Sequence, residues 1–77
     1  MTVTIHPTAI VEPGAELGDN VSIGALAYVG PDVVLGDDVT LHPKSTVFGH
    51  TDLGEGVELY PGEEIGGPPQ DLAYKQS

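Results

Sequence analysis

The stretch IHPTAI VEPGAE LGDNVS IGALAY VGPDVV LGDDVT LHPKST VFGHTD LGEGVE LYPGEE IGGPPQ, residues 5–70, reads in sixes without an insertion. The first place of each hexad is Ile, Val or Leu throughout: Ile5, Val11, Leu17, Ile23, Val29, Leu35, Leu41, Val47, Leu53, Leu59 and Ile65. The second place is often glycine, as at Gly18, Gly24, Gly30, Gly36, Gly54 and Gly66. The fifth is small or β-branched from Ala9 to Val57. A fixed period of six is the mark of a solenoid of short strands.

Strand geometry explains the pattern. Residues two apart in a strand face the same way. The fifth residue of one hexad and the first of the next are two apart, so both point inward, a small side chain beside a large one. Gly, Pro, Asp and Asn follow the aliphatic residue and turn the chain. Glycine directly after it suits a strained corner. Three corners close a triangle, so one coil takes about 18 residues, with coils stacked about 4.8 Å apart. The expected fold is all-β: a parallel β-helix over residues 1–70 with about three and two-thirds coils, then a tail at 71–77. Gly66, Gly67, Pro68 and Pro69 are expected to end strand formation. The period leaves the hand of winding open, although most parallel crossovers are right-handed.

The inward column Ala9, Ala27, Ser45, Glu63 contains one misfit, because an unpaired buried carboxylate is costly. Fraying of the last coil is the expected resolution. The alternatives are a protonated or Ser45-bonded carboxyl, or water entering through the open end.

A chain of 77 residues allows one domain. So short a chain buries only about 60% of its unfolded surface. Coil ends also expose strand edges. Both considerations favour self-association. The chain has no cysteine, which excludes disulfides and thiolate metal sites. Its apolar runs fall far short of the roughly 18 residues of a membrane span, and no basic and apolar leader opens it. A soluble cytoplasmic protein is the expectation. Two lysines face twelve acids, for a net charge of −10. That opposes nucleic acid and anionic membrane as partners.

Chemistry-bearing residues are sparse. His6 and His42 share a column but stand two coils, about 10 Å, apart. That exceeds the reach of one metal ion at Zn–N distances near 2 Å. A zinc site would need histidines of neighbouring subunits. His50, in FGHT, is the weak candidate for a catalytic base. The acidic corner of Asp19, Asp37 and Glu55 could attract Ca²⁺ but reads first as a solvated corner. No nucleophile elbow, phosphate loop or dinucleotide fingerprint is present, and no cofactor or metal is expected.

The segments IHPTAIV (5–11), VSIG (21–24), FGHT (48–51), ELYPGEEIG (58–66) and PQDLAY (69–74) together resemble the start of bacterial UDP-N-acetylglucosamine acyltransferase. That family opens lipid A synthesis by moving a hydroxyacyl chain from acyl carrier protein to the sugar 3-hydroxyl. The most specific part is the IG…QDL-x-Y segment. The resemblance implies a left-handed parallel β-helix, a homotrimer and active sites between subunits. It also implies that Gln70 and Asp71 contact the sugar nucleotide, with Leu72 and Tyr74 matching beside them. Ala73 stands where the family has lysine, a change that weakens substrate binding. The family's catalytic histidine lies in later coils, and its carrier protein docks on basic side chains. This acidic chain opposes that docking. Three functions follow as expectations: a trimerising β-helix without catalysis of its own; an active acyltransferase using His50 across a subunit interface; or a scaffold whose acidic corners hold a cation or protein. The outward apolar residues expected to serve a trimer are Tyr28, Val34, Phe48 and Tyr60.

Overall fold

Twelve short strands wind as a parallel β-helix in the computed structural model, which describes residues 2–66 and the backbone of residues 70–72. Four strands stack on each of three faces. The first face holds β1 (Val3–Ile5), β4 (Val21–Ile23), β7 (Thr40–Leu41) and β10 (Glu58–Leu59). The second holds β2 (Ile10–Val11), β5 (Tyr28–Val29), β8 (Thr46–Val47) and β11 (Glu64–Ile65). The third holds β3 (Glu16–Leu17), β6 (Val33–Leu35), β9 (Thr51–Leu53) and β12 (Gln70–Leu72). All pairings are parallel, and through β11 they join residues eighteen apart, such as Ile5 with Ile23 and Leu35 with Leu53.

The expected lining is present. Val29, Leu35 and Leu41 are 0%, 1% and 1% exposed, and Val21, Val33 and Val39 are buried beside them. Inward Ser45 and Thr51 are buried too. Each satisfies its hydroxyl three residues back: Ser45 Oγ donates to the His42 carbonyl at 2.7 Å, and Thr51 Oγ1 to that of Phe48 at 2.8 Å. Burial of each aliphatic side chain contributes about 1.5–3 kcal/mol.

Glycine in the second place has a different cause from the expected corner strain. A Cβ on Gly24 would come 2.8 Å from the backbone nitrogen of Pro43, and one on Gly36 would come 3.0 Å from that of Glu55. Those atoms belong to the next coil, so close stacking selects glycine there. The left-handed backbone falls two places later at Gly14, Asn20, Leu26, Asp38, Lys44, Gly56 and Gly62, and one place later at Gly49. At several corners a turn bond closes over that residue, such as Ala27 N–H to Gly24 O at 3.3 Å and Glu63 N–H to Tyr60 O at 3.1 Å. Proline just before a residue of positive φ, as in Pro13–Gly14 and Pro61–Gly62, has the composition of a type II turn. Leu26 is the misfit, with φ 60° and 61% exposure.

The end of the chain departs from expectation. Strand pairing continues past Gln70, because β12 runs to Leu72. Its register is Gln70 with Thr51, Asp71 with Asp52 and Leu72 with Leu53. That spacing is nineteen, one more than elsewhere, so one extra residue enters between Ile65 and Gln70. Twelve strands at three per coil complete four coils, rather than three and two-thirds. A strand therefore forms beyond the Gly66–Pro69 segment. The coil carrying Glu63 is not frayed, since Thr46 N–H bonds to the Glu63 carbonyl at 2.9 Å and β11 pairs with β8. Glu63 is exposed, and its Oε1 accepts the Tyr60 N–H at 2.6 Å. Residues 67–69 and 73–77, with the expected tail positions Ala73, Tyr74 and Lys75, lie outside the described residues.

Urea unfolding checks this account. Leu35→Ala is expected to cost about 3 kcal/mol, whereas Ile5→Ala, at a position 42% exposed, should cost under about 1 kcal/mol. Leu26→Gly should raise stability by about 1 kcal/mol, since a non-glycine residue in this conformation costs about that much. Equal losses at Leu35 and Ile5 would contradict the lining.

Candidate functional site

The backbone positions of the three residues singled out for chemistry fall on adjacent coils, at and beside the third face. His50 occupies the corner that leads into β9. Gln70 stands in register with Thr51, the next residue, and Asp71 with Asp52. The extra residue in the last coil produces this alignment: at a spacing of eighteen, Asp71 would fall opposite Leu53. His50 is exposed, and its Nε2 lies 3.7 Å from Asp32 Oδ2, one coil above. Both side chains are more than half exposed, so water screens the pair and its contribution is small.

A second constellation, absent from the sequence reading, lies on the first face. His42 Nε2 is 2.6 Å from Glu58 Oε2. A carboxylate only accepts, so this nitrogen carries the proton. The His42 ring also stacks on Tyr60, with centroids 5.4 Å apart and planes 6° apart. Above it, a shallow groove runs over Gly24 between His42 and His6. His6 Nδ1 accepts the Thr8 N–H at 3.1 Å and lies 2.9 Å from Thr8 Oγ1, which holds the ring against its own corner.

A related diagonal joins Tyr28 to Glu12 on the second face, where the hydroxyl donates to Oε2 at 3.1 Å. Both pairs span sixteen residues. The hydrogen bond to Glu12, then burial, then the carboxylate's charge hold the Tyr28 phenol above its ordinary pKa of 10.0.

The acidic corner is tied together by hydrogen bonds. Asp37 Oδ1 accepts the Asp19 N–H at 2.8 Å, and Asp38 Oδ1 accepts the Asn20 side-chain amide at 2.8 Å. Backbone bonds reinforce it, from Asp38 N–H to Asp19 O and from Gly56 N–H to Asp37 O, both at 2.9 Å. These carboxylates act as corner acceptors between coils. Among the described residues, no group of three or more metal-binding side chains converges. No described helix is long and apolar enough to cross a membrane.

The raised phenol pKa carries a sign. Folding favours the protonated hydroxyl, so its stabilising effect is complete below pH 10.0 and fades as pH rises through the folded value. Glu12→Ala should bring the Tyr28 titration back toward 10.0, read from phenolate absorbance. An unchanged titration would show that Glu12 does not cause the shift.

Comparison with known proteins places these coils. The bacterial transferase hexapeptide (six repeats) family matches residues 17–49. UDP-3-O-acylglucosamine N-acyltransferase of Gloeothece citriformis is 71% identical over 21 residues, which are 27% of this chain and 6% of that protein. The crystal structure of Arabidopsis UDP-N-acetylglucosamine acyltransferase superposes on 95% of this chain at 38% identity and a TM-score of 0.83. Another UDP-N-acetylglucosamine acyltransferase structure superposes on 75% of it at 40% identity and a TM-score of 0.73. This chain spans 26% and 22% of those two proteins. The chain is a hexapeptide-repeat β-helix whose coils resemble those of the UDP-N-acetylglucosamine acyltransferases.

Proposed function

We propose that this segment is a trimer-forming β-helix of the UDP-N-acetylglucosamine acyltransferase type that performs no acyl transfer by itself. The observation carrying the proposal is the superposition over 95% of the chain at 38% identity, against 26% of the neighbour's length. The surroundings of His50 support the non-catalytic reading. A general base works best shielded and held against the proton that it removes, whereas His50 and Asp32 are both open to solvent.

The apolar surface supports assembly. Ile10, 55% exposed, lies on the second face, Phe48 directly follows its strand β8, and Leu26 stands at the corner leading into it. Tyr60 is also exposed, while Tyr28 and Val34, expected outside, are half-buried. An exposed apolar cluster of this kind suits a subunit interface. Gln70 and Asp71, aligned beside Thr51 and Asp52, are proposed to contact UDP-N-acetylglucosamine in the assembled protein. With net charge −10, docking of an acidic carrier protein is disfavoured, as are nucleic acid and anionic membrane. A soluble, cytoplasmic setting completes the proposal.

Sedimentation equilibrium should give three times 8.0 kDa, with Phe48→Asp shifting the mass toward one subunit. A wild-type monomer at about 100 µM, where weak association is already populated, would refute the assembly. Any UDP-N-acetylglucosamine binding should be lost on Asp71→Ala. Acyl transfer abolished by His50→Ala would establish the enzymatic reading instead.

A further inference from the structure

The outer column that follows the aliphatic residues on the first face reads His6, Gly24, His42, Tyr60, one residue per coil. Its lower two rungs are stacked rings, 5.4 Å between centroids and 6° between planes. One coil higher the rung is missing, because Gly24 has no side chain. One coil above that the column resumes with His6. His6 and His42 therefore stand two coil rises apart, about 9.6 Å. A single ring above Gly24 would lie about 4.8 Å from each, within the range of offset stacking.

The gap is built into the fold. A Cβ on Gly24 would press to 2.8 Å on the backbone nitrogen of Pro43, so this coil keeps its backbone close to the next one and leaves the space outside open. Pro7 and Pro43 close the corner end of the groove, and Ser22 lines it from the strand side. Its walls are held before any ligand arrives: His6 by Thr8 and His42 by Glu58 and Tyr60.

Charge selects the occupant. Glu58 backs the lower wall, and its bond to Nε2 makes the His42 ring more electron-rich, which suits a cation at its face. Apart from the two histidine walls, no ionisable side chain lines the groove itself. Lys44 follows Pro43 on the same corner but is not among the lining residues, and the chain around it carries a net −10, a field that attracts cations and repels anions.

We propose that the groove between His6 and His42 is a binding site for a small aromatic cation, whose ring enters above Gly24 as the missing rung of the stack. The site uses neither His50 nor Gln70 and Asp71, and it shares with the proposed assembly only Tyr60, which backs its lower wall.

Benzamidinium and benzoate, of matching shape and opposite charge, test it by titration against the histidine ring resonances in NMR. Benzamidinium should give saturable upfield shifts on His6 and His42, with Kd on the order of 1 mM, and benzoate should bind about tenfold more weakly. Gly24→Ala risks misfolding, so the walls are varied instead. His6→Ala and His42→Ala should each weaken benzamidinium at least fivefold or so with the fold retained by circular dichroism, and His50→Ala should leave it unchanged. Equal affinity for the two probes, shifts as large on His50, or no saturable shift would each overturn the proposal. Coverage of the first face by a second copy would also appear as no shift, and it counts against the site.

Discussion

Each coil of this chain is held by the next through main-chain bonds that reach seventeen residues ahead. Gly24 N–H bonds to Leu41 O at 2.7 Å, Gly36 N–H to Leu53 O at 2.7 Å, and His42 N–H to Leu59 O at 2.9 Å. The strands are two or three residues long, far below what is stable alone. No strand pairs with its neighbour in sequence, so no coil gains its ladder bonds before the adjacent coil forms. Stability is then a chain of nearest-neighbour couplings. The exposure pattern follows: the middle coils bury their lining, while Ile5 and Ala9 above and Ile65 below are only partly covered.

That coupling explains why the lining was legible and the corners were not. The inward columns obey a spacing of eighteen, because backbone register repeats it and one aliphatic side chain must sit on another. Glycine was misread because it looks the same in sequence whether it serves a positive φ or a close approach. Gly36 serves the approach and Gly56, with φ 77°, the turn. Leu26 and Lys44 hold the same left-handed place although nothing in their chemistry announces it; the turn on either side imposes it. Glu63 looked like a buried charge because the column rule ignores the side chain's length. A glutamate at the lower rim can bend back to its own turn, and this one does.

The candidate site shows the same division. His50, Gln70 and Asp71 were chosen by type and by resemblance, and their alignment along β9 and β12 depends on one extra residue that the hexad count does not contain. The pairs His42–Glu58 and Glu12–Tyr28 were invisible for another reason. Adding eighteen finds residues directly below one another, whereas long side chains lean to the diagonal neighbour two residues along the paired strand. Sixteen is that diagonal, and it recurs on two faces. A search of the sequence for polar partners sixteen apart would have found both.

The same geometry changes the meaning of the acidity. Composition alone assigns a net −10 to solubility. Yet Glu12, Asp37, Asp38, Glu58 and Glu63 each accept a hydrogen bond from a phenol, a side-chain amide, an imidazole or the backbone. Corners present N–H groups that have no ladder partner, and a carboxylate is the strongest acceptor available to them. A β-helix with ten described corners between short strands therefore has many sites where Asp or Glu is structurally useful and few where Lys or Arg is, since cations only donate. The like-charge repulsion along a corner is offset by the donors that each carboxylate holds. On this reasoning much of the negative charge follows from the number of corners, and solubility is its by-product.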